Sequence, residues 1–252
     1  MLVQQGALRS DAIDRQLACT LAGVAGALNA SAFYSVGFFS ANMTGNVSSL
    51  SDHLALGEWH SGLFYFTIVL AFILGAMLST LSINIGRRRG ARGIYALTIL
   101  LEASLLVVLG GADLWIRGDF RIPVVVLGLS FLMGLQNAVV TRISDARVRT
   151  THVSGMATDI GIELGMLIDI AFGLEPDVEA GPIRARLRLH AETILAFLVG
   201  GTIGVLLYRS LGGYLLWIAA AILALMAGAA LARTRSSPGK DRFEETDLPN
   251  DL

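Results

Sequence analysis

Six long apolar stretches alternate with shorter polar ones along this chain. They cover about residues 17–37, 63–85, 93–111, 122–141, 190–208 and 212–232. Each is close to the roughly 20 residues that carry a helix across a bilayer core. Apolar positions run all the way round these segments rather than along one stripe, as lipid-facing helices require. The pattern predicts an all-α integral membrane protein with six transmembrane helices. The first stretch is too long for the apolar region of a signal peptide, so it reads as a retained span. The last residues, 236–252, mix charge with Pro238, Gly239 and Pro249 and hold few apolar positions. That composition predicts a disordered tail.

Three signatures with helical spacing occur twice, in the same order. Gly26-x-x-Asn29-Ala30 is matched by Gly134-x-x-Asn137-Ala138, and Thr44-Gly45 by Ser154-Gly155. Leu70-Ala71-Phe72-x-x-Gly75 is matched by Leu195-Ala196-Phe197-x-x-Gly200. Each copy holds three spans, the first over 16–111 and the second over 122–232. An odd number of crossings per copy turns the second copy over in the membrane. The expectation is therefore a 3+3 inverted repeat, an architecture in which transporter sites lie where the copies meet.

Charge adds an orientation. No Lys or Arg lies between Arg15 and Arg87. Basic residues gather in segment 1–15, in the loop after span two (Arg87, Arg88, Arg89, Arg92), in the loop after span four (Arg142 to Arg188) and in the tail. By the positive-inside rule both termini are cytoplasmic. The near-exclusive use of Arg over Lys points to a bacterial source, hence an inner membrane. The net charge of −1 gives no reason to expect nucleic acid as a partner. The lone Cys19 rules out a disulfide within the chain, and no cysteine- or histidine-based metal motif is present. No phosphate-binding glycine loop and no nucleophile with a positioned base is found, so no cofactor and no enzymatic activity is expected.

Small residues at four-residue spacing, Ala22, Gly26 and Ala30 in span one and Ser130, Gly134 and Ala138 in span four, let helices approach closely. They place Gly26 against Gly134. Asn29 and Asn137 lie on or near the same faces and need partners in an apolar medium. Two readings stay open: glue between helices, or the lining of a solute site. The polar segment around Asn42, Thr44, Gly45 and Asn46 has its counterpart in Thr151, His152, Ser154 and Gly155. Thr44 and Ser154 suit helix caps, and a helix start facing a cavity favours an anionic or polar solute.

Glu102 lies near the centre of span three, with no Lys or Arg in any span core to pair with it. It reads either as a proton-relay group or as a neutral acid hydrogen-bonded within the bundle. Asp159 and Glu163 share one helix face after the second motif. They suit a cation or proton site, or a solvated face paired to nearby arginines. His152 with His190 and Glu192 resembles a metal set only weakly.

Gly-Ala-Leu-Asn-Ala at 26–30, Ala-Asn-Met-Thr-Gly-Asn at 41–46, Met-Gly-Leu-Gln-Asn-Ala at 133–138 and Arg-Thr-Thr-His-Val-Ser-Gly-Met at 149–156 carry a family resemblance. Over about residues 15–235 the chain resembles the YoaK-type bacterial membrane proteins, catalogued as domain of unknown function family 1275. The resemblance implies a multi-pass inner-membrane protein and assigns no substrate. Ser154 stands where Thr is common in that family and keeps the hydroxyl. The expected function is a small secondary transporter or permease, proton-coupled through Glu102, acting on a small molecule or ion of unknown identity. A non-transporting membrane protein that binds lipid or a partner protein is the alternative. The lipid bilayer is the one partner the pattern requires, and a homo-oligomer is compatible with it.

Overall fold

The computed structural model describes residues 2, 10–91, 93–175 and 178–236. Beyond Ser236 the expected disordered tail lies outside these residues, as do most positions before Ser10. Among the described residues every regular element is a helix: α1 (Asp11–Val36), α2 (Met43–Ala55), α3 (Trp59–Arg88), α4 (Ile94–Trp115), α5 (Arg121–Ile143), α6 (Val153–Ala171), α7 (Ala180–Leu211) and α8 (Tyr214–Ser236). Helices α1, α3, α4, α5, α7 and α8 correspond to the six apolar stretches and are long and apolar enough to cross a membrane.

Several helices reach past the limits that hydropathy sets. Helix α1 begins at Asp11, where Asp11 and Asp14 occupy the first turn and favour a helix start. Helix α7 absorbs the arginine-rich stretch ahead of its apolar part, because Arg is a good helix former that a hydropathy pattern does not register. Arg188 and Glu192 pair there at 2.7 Å, four residues apart. The segment after Asn46 reads as a linker in sequence; it is the body of α2, which follows α1 after a short turn.

The main helix contacts are α1 with α7, α3 with α5 and α4 with α8, while the shorter α2 and α6 lie on α3 and α7. The expected meeting of Gly26 and Gly134 is corrected. A side chain on Gly26 would run into the backbone carbonyl of Phe197 on α7, and one on Gly134 into that of Phe72 on α3. Likewise Gly75 lies against the carbonyl of Phe131, and Gly200 against that of Gly23. Each Gly-x-x-Asn helix thus packs on the Leu-Ala-Phe-x-x-Gly helix of the other copy. Small-residue spacing shows that a face can be approached closely; it does not say by which helix. Ala30 follows Gly26 onto α7, where it faces Gly201.

Polar clusters tie the bundle at both ends. The buried Asp113 of α4 pairs with Arg121 of α5 at 2.8 Å and accepts the Tyr208 hydroxyl of α7 at 2.7 Å. At the other end Arg147, after α5, pairs with the buried Asp14 of α1 at 3.0 Å. Beside it Arg15 of α1 pairs with Glu192 of α7 at 2.7 Å.

Candidate functional site

Helix α1 stops at Gly37, whose left-handed backbone (φ 80°) turns its N–H back to the Phe33 carbonyl. The Phe39 ring stacks on Phe33 with centroids 4.2 Å apart, folding the chain back along the helix. Ala41 then donates its backbone N–H to Asn29 Oδ1 at 2.8 Å. Asn29 lies roughly 10 Å before the end of α1, so the chain retraces that depth before α2 begins. Asn42 starts α2 by accepting the Gly45 N–H at 3.1 Å. Asn46, buried, donates to the Phe39 carbonyl at 3.1 Å and holds the fold-back in place.

The second copy repeats this with other chemistry. The buried Ser144 closes α5, its hydroxyl donating to the Val140 carbonyl and accepting the Val148 N–H at 3.0 Å. Asp145 and Ala146 follow in left-handed backbone (φ 52° and 60°). The chain doubles back until the Thr151 hydroxyl donates to Asn137 Oδ1 at 2.9 Å, while Asn137 Nδ2 donates to the Met133 carbonyl. His152 stands where Asn42 stands in the first copy, at the cap of its helix, and makes no side-chain cap bond. In both copies the side chain at the cap position folds over the glycine three residues on. A Cβ on Gly155 would lie 2.5 Å from His152 Cδ2, and one on Gly45 would run into the Asn42 amide. The capping role expected of Thr44 and Ser154 therefore passes to Asn42 in the first copy. The two hydroxyl residues sit in the first turns of α2 and α6, both exposed.

Both helix starts open on one cavity of about 880 Å³. Asn29, Asn42, Thr44 and Gly45 line it from the first copy, and Asn137, Thr151, His152 and Ser154 from the second. Phe72 and Phe197, equivalent positions of the third signature, line it as well. No acidic residue is among its lining residues. The sequence reading missed the two phenylalanines, although their motif occurs twice. It also missed Phe39, Met43, Thr141 and Arg149 as wall residues. Arg149 lies inside the second family motif, so the signal for it was present.

The remaining candidates lie elsewhere. Asn46 and Gly155 are not among the cavity's lining residues, although Gly45 and Ser154 beside them in the chain are. Glu102 is fully buried on α4, where Gln136 of α5 donates its amide to Oε1 at 2.9 Å. Its partner is thus the residue beside Asn137 in the second copy of the first signature. Glu102 Oε2 and Gln136 Oε1 have no hydrogen-bond partner among the described residues.

Asp159 lines a second cavity of about 400 Å³ at the end of the bundle that carries Asp14. Neighbouring Glu163, 4% exposed, lies 3.2 Å from His190 Nδ1 and 3.9 Å from Arg186. Asp159 reaches His190 Nε2 at 4.0 Å. The two carboxylates therefore share His190, while the arginine contact belongs to Glu163 alone of the two, and Glu163 is buried rather than solvated. His152 is in the other cavity and Glu192 is held between Arg15 and Arg188, so the weak metal set does not assemble. One residue, Arg149, lines both cavities.

Compared with known proteins, residues 17–229 match the model of the family described as "Protein of unknown function (DUF1275)". No curated protein and no solved structure matches the chain.

Proposed function

We propose, for a chain that belongs to this family of unknown function, the role of a small secondary transporter or permease for a polar solute. The observation that carries the proposal is the paired lining of the larger cavity. Asn29 and Asn137, Phe72 and Phe197, Thr44 and Ser154, Asn42 and His152 reach it from corresponding positions of the two copies. Non-helical backbone at membrane depth is tolerated where it is buried in protein or lines a water-filled cavity. The fold-backs before α2 and α6 are such backbone. Broken helices whose starts face a shared site are a transporter arrangement.

In this reading the two copies are an inverted repeat in a bacterial inner membrane, with both termini cytoplasmic. The cavity then sits between a fold-back entered from outside and one entered from inside. The protein is a carrier rather than an enzyme, and Glu102 is its proton-exchanging group.

Two measurements test this. In a Cys19→Ser background, cysteines placed at 55 and 145 should label oppositely with an impermeant thiol reagent on whole cells. Equal labelling from outside would remove the inverted repeat. Metabolite profiling of a deletion strain should then name solutes for uptake into proteoliposomes of the purified protein. Uptake above protein-free liposomes, lost on filling the cavity with Ser154→Trp, is the expected result. No uptake of any profiled solute would leave a lipid- or partner-binding protein.

A further inference from the structure

The loop between α5 and α6 carries two arginines with different surroundings. Arg147 is paired with the buried Asp14 at 3.0 Å. Arg149 is exposed and enters no ion pair or hydrogen bond among the described residues. It is also the one residue that lines both cavities, so Arg149 stands where the larger space adjoins the smaller one at the Asp14 end.

The charge balance of the larger cavity follows from this. No acidic residue in that wall faces Arg149; the aspartates near it, Asp11, Asp14 and Asp159, line the smaller cavity. The starts of α2 and α6 face the same space and add partial positive charge of the same sign. Asn137, Thr141 and Thr151 place hydrogen-bonding groups in the same wall. The wall is not wholly polar, because Phe39, Phe72 and Phe197 supply aromatic surface. A volume of about 880 Å³ is far larger than a bare inorganic anion needs and falls in the range of pockets that hold organic ligands.

Resting on the permease reading, we propose that Arg149 is the residue that selects the solute, and that the solute is a small organic carboxylate with an apolar body. The guanidinium fork meets the carboxylate with two parallel hydrogen bonds. The phenylalanines take the apolar part. The place of Arg149 between the cavities lets the same group hold the anion on its way to the Asp14 end. There the unpaired fork would hand it toward a space whose other arginines, Arg15, Arg147 and Arg186, already face carboxylates.

The test uses the full chain in nanodiscs of phosphatidylcholine alone, which has no net headgroup charge and so leaves only soluble anions to bind. Thermal unfolding is followed with acetate, phenylacetate and benzoate, and with the matching uncharged amides. At least one aromatic carboxylate should stabilise the wild type where its amide does not. Arg149→Gln should weaken that binding by about tenfold or more, with Arg149→Lys in between. Equal effects of acids and amides, no effect of any carboxylate, or unchanged binding by Arg149→Gln would each overturn the proposal. If Arg149→Gln fails to fold, the acid-against-amide comparison on the wild type decides alone. Uptake of an uncharged solute without carboxylate binding would refute this selectivity and leave the permease standing. Carboxylate binding without uptake of any solute would do the reverse.

Discussion

The backbone carbonyl of Phe72 occupies the space in which a side chain on Gly134 would begin. Phe197 and Gly26 stand in the same relation on the other side of the bundle. Both phenylalanines line the cavity and pack against the core, while their carbonyls receive a glycine of the opposite copy. One short motif thus sets both the helix spacing and the cavity wall. If the helices separate at the glycine, the phenylalanine ring moves with them.

Replacing either glycine with alanine should therefore be destabilising. The added methyl meets backbone, which cannot rotate away, so overpacking of roughly 1–3 kcal/mol is expected for Gly26→Ala and Gly134→Ala. Gly161, in α6, has open space around it. There Gly161→Ala should be neutral or stabilising by up to about 1 kcal/mol, through the helix preference of alanine alone. Thermal unfolding of the three variants in one detergent gives the ranking. Gly161→Ala as the worst of the three would refute the packing described.

The two asparagines should differ when removed. Asn29→Ala strands the backbone N–H of the buried Ala41, which is fixed in direction and has no other acceptor among the described residues. An unsatisfied buried donor costs about 1–3 kcal/mol. Asn137→Ala strands the hydroxyl of the half-buried Thr151, which can rotate toward water in the cavity. Asn29→Ala should be the more destabilising of the two and should speed hydrogen exchange at the residue-41 amide. Unchanged protection at that amide would show that Asn29 does not hold the fold-back.

The pattern of apolar positions made the six spans legible because hydrocarbon-facing helices carry an unbroken signal. The repeat made the paired lining legible in part, since Asn29, Asn137, Thr44 and Ser154 all belong to matched motifs. Their mechanism was not legible. The cap at α2 comes from Asn42 rather than Thr44, because which polar side chain caps depends on a backbone angle that sequence does not display. The partner of Gly134 was misplaced for a related reason: a glycine marks close approach, while the approaching helix is chosen by the whole bundle. Gln136 was overlooked as the partner of Glu102, although it stands next to Asn137 in a quoted motif. It lies on a different face of α5, and only the position of α4 gives that face a carboxyl to bind.

The turn after α5 stores backbone strain at a known place. Ala146 has φ of 60°, a conformation that a Cβ disfavours by roughly 1–2 kcal/mol, and Asp145 just before it has φ of 52°. Asp is among the residues that tolerate this region; Ala is not. Ala146→Gly should stabilise the protein by about 0.5–1 kcal/mol, the relief exceeding the added chain entropy of glycine. Ala146→Val should destabilise it, because a branched side chain enters this region least readily. Thermal unfolding checks both. A stabilising valine would show that the turn has another conformation.

The proposed proton coupling rests on Glu102, and here folding and transport are expected to separate. The carboxyl is fully buried and its one side-chain partner is the Gln136 amide. Glu102→Gln keeps the size and an acceptor oxygen, so the bond from Gln136 Nε2 survives and the new amide can donate to Gln136 Oε1, which lacks a partner among the described residues. Stability should stay within about 1 kcal/mol of the wild type. Gln136→Leu instead leaves the carboxyl with no hydrogen bond inside the bundle and should cost roughly 1–3 kcal/mol. If Glu102 carries the coupled proton, Glu102→Gln at equal membrane abundance should lose the dependence of uptake on a pH gradient while keeping counterflow of the solute, which needs no net proton movement. The measurement is uptake into proteoliposomes with and without an imposed gradient, followed by exchange against preloaded solute. Gradient-dependent uptake equal to the wild type would make Glu102 a structural acid, held by Gln136 to join α4 to α5, and would remove the coupling from the mechanism.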